Sequence, residues 1–316
     1  MNYAKRSEII FLYDISWANP NGDPLDANKP RIDTETGINF VTDVRLKRTI
    51  RDELYSRGYE ILIRDTFNEE DGFLKDAKRR AIDFMPEGVT RTTDKLTAEQ
   101  EKLLCEKILG CLDVRLFGCT LPYELKKQSS SVTYTGPVQF KVGYSLHPVK
   151  CEFIKGTGAF AGGEGREQKT FRQEYVLPYS LVMFYGIIND RAAKVTKLTE
   201  DDVALLLEAM WDGTKNLISR TKAGQVPRML LRVIYKDNNF HVGELDKFIN
   251  FEYEKEAESL RDISDGILLV NNLVEKLASF KNHIECIQIK IDDRLATDID
   301  LRASLEKNGL RVETIL

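Results

Sequence analysis

The chain has 316 residues, 42% of them apolar and 30% charged, with a formal net charge of −4. That length and apolar share suffice for a substantial core in one large domain or a domain with insertions, whereas the charge density and the absence of any long apolar run exclude a membrane-spanning protein. Net acidity rules out a surface coated uniformly in positive charge, but not a local basic patch: residues 246–265 alone hold seven acids against three bases.

Residues 8–17, EIIFLYDISW, read as a strand ended by Asn-Pro. The polar loop that follows, NPNGDPLDANKPRID, carries Asp23, Asp26 and Asp33. These carboxylates suit either a divalent ion or acid–base chemistry. Their spacing lacks the EF-hand register, and Asn, Asp, Gly and Pro together are ordinary turn chemistry. A helix is expected over 43–57, capped by Thr42, with Asp43 in its first turn and Leu46, Ile50 and Leu54 on one face. Arg45 and Arg48 project opposite that face, flanked by Lys47 and Arg51. Such a row suits a phosphate backbone, because guanidinium forks grip phosphate oxygens and lysine adds point charge. A solvated helix face, balanced by Asp52 and Glu53, is the other reading.

Gly58 ends the helix, and 59–64, YEILIR, reads as a second strand. Residues 65–110 read as a polar, mostly helical insertion with Thr97 as a cap. Residues 131–146 and 174–188 have strand composition, Pro178 suggesting an edge or a bulge. Between them, residues 155–173 combine five glycines with Arg166, Lys169 and Arg172, which points to a protruding loop or hairpin. A helix from Thr199, a strand over 229–236, a helix over 265–280 and a strand over 284–290 complete the chain. Element order suggests an α+β sheet with helices on one face, in the manner of an RNA-recognition-motif or ferredoxin-like core.

No standard catalytic or cofactor motif survives inspection. Gly156, Gly158 and Ala161 match a dinucleotide pattern only formally, since no helix follows to meet a pyrophosphate. The five cysteines are odd in number and form no CxxC pair, so reduced thiols are expected. His147, His241 and His283 lie far apart, and a histidine-based site would have to be assembled by the fold. No cofactor and no metal are expected, and a cytoplasmic location follows from this composition.

Four segments in chain order carry a family resemblance: NPNGDP (19–24), LKRTIR (46–51), DVRLFG (113–118) and GPVQF (136–140). Together they resemble the CRISPR-associated Cascade backbone subunit, the Cas-seven family of the repeat-associated mysterious protein superfamily, in its type I-B and I-C branches. The resemblance implies a palm built from 1–64, 129–145 and 174–316, a helical fingers insertion over 65–128 and a thumb hairpin over 146–173. It implies a non-catalytic subunit that polymerises head to tail on CRISPR RNA beside other Cascade subunits and presents the guide to target DNA. By the same resemblance the RNA contacts are Asn19 and Asn21 in the loop, Lys47, Arg48 and Arg51 on the helix, Gln139 and Lys141 in the strand opposite, and Arg166, Lys169 and Arg172 in the thumb, and the exposed helix face adds Arg45 to them. Backbone subunits of type III complexes look similar and cleave target RNA with a loop aspartate, which makes Asp23, Asp26 or Asp33 the alternative, a metal-dependent endoribonuclease.

Overall fold

The computed structural model describes residues 2–69, 71–161 and 169–315, with 157–161 and 169–172 described through their backbone alone. Walking the chain, β1 (Ser7–Ala18) leads into a loop holding the short ladder of β2 (Gly22–Asp23) and β3 (Lys29–Pro30), then β4 (Ile38–Val41) and α1 (Asp43–Ser56). Helices α2 (Ala77–Ile82), α3 (Ala98–Leu109) and α4 (Leu112–Phe117) precede the hairpin of β5 (Gly118–Leu125) and β6 (Gln128–Thr135). Next come β7 (Val138–Phe140), β8 (Gly143–Pro148), β9 (Glu152–Ala161) and the long β10 (Lys169–Ile188). Beyond these lie α5 (Asp190–Thr196), α6 (Glu200–Lys215), β11 (Val226–Tyr235), β12 (Asn250–Tyr253), β13 (Gly266–Leu269), α7 (Asn271–Ser279), β14 (Ile284–Ile291), α8 (Leu301–Lys307) and β15 (Val312–Thr314).

The central sheet runs β15-β14-β11-β1-β10-β8-β4, antiparallel throughout except for the parallel pair β14–β15. Within it, β11-β1-β10-β8 with α1 after β1 and α6 after β10 is a β-α-β-β-α-β unit in the ferredoxin-like strand order. The α+β, ferredoxin-like expectation therefore holds. Its helices do not lie on one face only, however. Alternate residues of β1 enter two different cores: Ile9, Phe11, Tyr13 and Ile15 pack with α1 and α6, while Ile10 and Leu12 pack with α7, α8 and the 245–270 segment. A strand covered on both faces has to be apolar throughout, which is why EIIFLY shows no polar alternation.

A third, separate core joins Leu62, Phe84, Leu104, Ile108 and Val114 with Leu121, Tyr123 and Val132 of the β5–β6 hairpin. The expected insertion thus has its own core, which reaches past residue 128 to Val132. The expected strand over 59–64 is absent. Ile61 and Leu62 are buried, but the N–H groups of Leu62 and Ile63 donate to the Asp113 carboxylate at 2.8 and 3.1 Å instead of to a neighbouring strand. The helix expected over 265–280 begins only at Asn271, because Gly266–Leu269 pairs with β12 and Asp298 accepts from the N–H of Val270 at 2.8 Å. Residues 131–146 divide into three strands rather than one. Pro178 lies inside β10 opposite Trp17, where the ladder passes directly from Ser16↔Tyr179 to Ala18↔Leu177; the irregularity, and not a sheet edge, accommodates the missing N–H.

The turn from α4 into β5 meets the end of β6 at two glycines. A Cβ at Gly136 would lie 2.0 Å from the Phe117 carbonyl carbon, and one at Gly118, which has φ +71, 2.2 Å from the Tyr134 oxygen. Backbone cannot yield as a side chain tip does, so Gly136→Ala is expected to cost about 2 kcal/mol, read as a lower urea midpoint at unchanged m-value. Among the described residues no helix is long and apolar enough to cross a membrane.

Candidate nucleic-acid interface

The N-terminus of α1 is fixed by two side chains. Thr42 occupies the cap and accepts from the Arg45 N–H. Asn21 Oδ1 in turn accepts from both the N–H and the hydroxyl of Thr42 at 2.9 Å, tying the polar loop to the helix. Asn19 is placed differently from the expectation of an exposed rim contact. It is 1% exposed, donating Nδ2 to the Asn28 carbonyl at 2.7 Å and its N–H to the Thr221 carbonyl at 2.7 Å. A short amide ending a strand serves best as an internal brace, and that is its role here.

The loop aspartates are engaged in the loop's own turns. Asp23 accepts from the Leu25 N–H at 3.0 Å and pairs with Arg31 at 3.1 Å, and Asp26 pairs with Lys29 at 2.8 Å. Asp33 accepts from the Thr36 hydroxyl and the Glu35 N–H, and these two bonds, the hydroxyl's foremost, hold its carboxyl below the usual range. Among the described residues no group of three or more His, Cys, Asp or Glu side chains could hold a metal ion.

Of the expected cations on α1, three have acidic partners. Lys47 bonds Asp43 at 2.9 Å and reaches Gln139 Oε1 at 3.4 Å, so the fold brings these two expected contacts together between α1 and β7. Arg48 is exposed, yet its Nε–H is shared between the two Asp52 carboxylate oxygens at 2.8 and 3.0 Å and its Nη2 reaches Asp65 at 3.3 Å. Arg51 departs most from expectation. It is buried, donating to Asp113 at 2.9 Å with its guanidinium 5.2 Å from the Phe117 ring centre. The four-residue spacing that carries Ile50 inward turns Arg51 toward the third core, where a fully buried carboxylate awaits it. Lys141 stands apart, over the Tyr185 ring at 4.6 Å and 3.7 Å from Asp246, on the side of the sheet opposite α1.

Arg45 is the exception. Its guanidinium donates to the Thr49 hydroxyl at 3.0 Å and has no carboxylate within ion-pair distance among the described residues. Burial lowers its pKa. Lys222, in the 217–225 loop that the Asn19–Thr221 bond draws against the end of β1, is likewise without an acidic partner among the described residues. Burial, and then repulsion from Arg45, lowers its pKa too. Neither cation forms an ion pair among the described residues, although Asp52 attracts Arg45 through space, and partly desolvated cations of this kind are favourable partners for an anion. Sequence reasoning missed Lys222, because nothing local to TKAG marks it; only the packing of the loop against β1 does.

β9 and β10 pair antiparallel with the register Lys169↔Ala161 and Arg172↔Gly156, so the described flanks of the glycine-rich stretch pair as the arms of a hairpin, while 162–168 lie outside the described residues. Arg166 lies outside the described residues, and Lys169 and Arg172 are placed by backbone only. The five cysteines are free. Burial pushes Cys111 up to about 12 and Cys119 and Cys286 to about 11, which keeps these thiols protonated and unreactive. His147 is buried and stacked on Tyr179 at 5.5 Å, a core packing role.

The family model described as CRISPR-associated protein Cas7 matches residues 5–271. Over 316 residues the chain is 34% identical to the CRISPR-associated protein Cas7 of Haloferax volcanii, a match covering 95% of this chain and 90% of that protein. Two solved structures share the fold. One, described as a CRISPR RNA-guided surveillance complex, pre-nicking, superposes with a TM-score of 0.54 at 14% identity over 96% of this chain and 98% of the other. The second, described as a CRISPR RNA-guided surveillance complex, gives 0.50 at 17% identity over 96% and 97%.

Proposed function

Because the chain belongs to the CRISPR-associated Cas7 family, we propose that it is a non-catalytic backbone subunit of a type I, Cascade-like surveillance complex that polymerises head to tail on CRISPR RNA. The observation carrying this reading is the pair Arg45 and Lys222, two neighbouring cations without an ion pair of their own among the described residues; Lys47, held by Asp43 and Gln139, is a further cation on another face of α1. Cations on a rigid helix and a braced loop grip phosphate and ribose without reading base edges, which a subunit serving any guide sequence requires. The structures sharing its fold are described as RNA-guided surveillance complexes, and from these we take the partners: CRISPR RNA, further copies of itself, other Cascade subunits and target DNA, in the cytoplasm.

In this reading the ferredoxin-like sheet is the palm, the unit with its own core is the fingers, and the β9–β10 hairpin is the thumb. Arg166, Lys169 and Arg172 would meet RNA from that hairpin. The turn bonds made by Asp23, Asp26 and Asp33 support a structural loop and not the endoribonuclease of type III complexes. The test is native mass spectrometry of the protein with RNAs of increasing length and unrelated sequence. Protomers are expected to add stepwise with length whatever the sequence; a fixed stoichiometry would replace the filament with a discrete RNA-binding module.

A further inference from the structure

β1 is buried on both faces until its last residues, where Trp17 breaks the pattern. Its side chain is 55% exposed, its φ is +49, and it has no partner in the ladder with β10. An L-residue in the left-handed region is strained, and a bulky aromatic there is an outlier that points to a use. Burial does not supply that use, since the ring is largely in solvent.

The surroundings indicate what the ring meets. Two residues on, the Asn19 N–H bonds Thr221 and draws the Lys222 loop to the same end of β1. On the other side, Trp17 lies opposite Pro178, next to the point where β10 starts to pair with β9 at Val176↔Glu152. The base of that hairpin carries an aromatic and cationic cluster. The Phe153 and Tyr175 rings are 4.9 Å apart, Lys155 lies 5.6 Å from the first ring centre and Lys29 5.4 Å from the second. An exposed indole between the Arg45 and Lys222 cations and such a cluster matches the alternation of charge and π-face that single-stranded nucleic acid requires.

Resting on the function proposed above, we propose that Trp17 is a stacking platform for one nucleobase of the bound RNA, where the strand passes from the Arg45 and Lys222 pair toward the base of the hairpin. Every base presents a π-face, so the contact is indifferent to sequence.

The experiment uses the full chain with Trp211→Phe, which leaves Trp17 as the sole tryptophan, and fluorescein-labelled single-stranded RNAs of unrelated sequence. Indole emission is expected to quench as anisotropy rises. Trp17→Ala should weaken binding about ten-fold at an unchanged salt slope, because no charge is lost, and Trp17→Phe should restore most of the affinity. An RNA of the same length with abasic positions should bind without quenching. Full RNA binding with unaltered emission and a Trp17→Ala affinity within two-fold of the parent would overturn the platform and leave the RNA-binding reading intact. Emission that changes with protein concentration in the absence of RNA would give Trp17 to a neighbouring protomer and overturn the proposal as well. No RNA binding by the parent protein would remove both readings together.

Discussion

Replacing Asp113 with alanine is expected to lower the unfolding free energy by about 3 to 5 kcal/mol, because it leaves a buried guanidinium, the buried Leu62 N–H and the partly buried Ile63 N–H without their acceptor. Asp113 is fully buried and accepts from Arg51, Leu62 and Ile63. One carboxylate therefore joins α1 of the central sheet to the irregular segment entering the third core. Chemical denaturation of the purified protein measures the loss. Arg51→Met combined with Asp113→Ala should cost less than the two single changes added together, since the double variant strands no charge. Additive costs would mean that Arg51 escapes to solvent when its partner is gone. The same geometry predicts how Arg51 variants behave toward RNA: their salt slope is expected to match the parent, because this arginine is spent inside the fold.

Changing both Arg45 and Lys222 to alanine is expected to produce the largest loss of RNA affinity, about a hundred-fold near physiological salt. The slope of log K against log salt should fall by about 0.7 for each phosphate contact removed from a single strand. The loss should be similar for unrelated RNA sequences, because phosphates carry no sequence information. Arg48→Ala makes the informative comparison. Its guanidinium is shared between Asp52 and Asp65, so it is less free to neutralise a phosphate, and a smaller change in slope follows. An Arg48 effect equal to that of Arg45 would show that the aspartates release it on binding. Loss confined to one RNA sequence would contradict the Arg45 and Lys222 pair as a phosphate site.

What the sequence revealed and what it concealed divide along a physical line. α1 was legible because its signals are local: Thr42 as cap, Asp43 in the first turn, and Leu46, Ile50 and Leu54 on one face, all found in the structure. The ferredoxin-like order was legible from element succession, and the pairing of the strands flanking the glycine-rich stretch was legible as well. Partners distant in sequence were not legible. Nothing in TIRDEL separates an arginine exposed to water from one pulled onto a carboxylate 62 positions away. The same holds for Ile61 and Leu62, which have strand composition but whose neighbouring N–H groups are satisfied by a side chain. The candidate site suffered in the same way. Arg45 was visible on the helix face, while Lys222 becomes part of the site only through the Asn19–Thr221 bond, and the outward turn of Trp17 depends on a backbone angle that composition does not encode.

The position of β1 carries a cost in time. This strand leaves the ribosome well before its partners β10 and β11, which end at Ile188 and Tyr235. At about 5 to 20 residues per second of synthesis, it waits on the order of ten seconds or more with both edges and both apolar faces uncovered. Pairings so distant in sequence also close slowly once the partners exist. The nascent chain therefore passes through a period in which its most apolar strand is free to pair with another copy. Its yield in cells is expected to respond to chaperone supply and translation rate more than the finished fold, with that strand sealed at the centre of the sheet, would suggest.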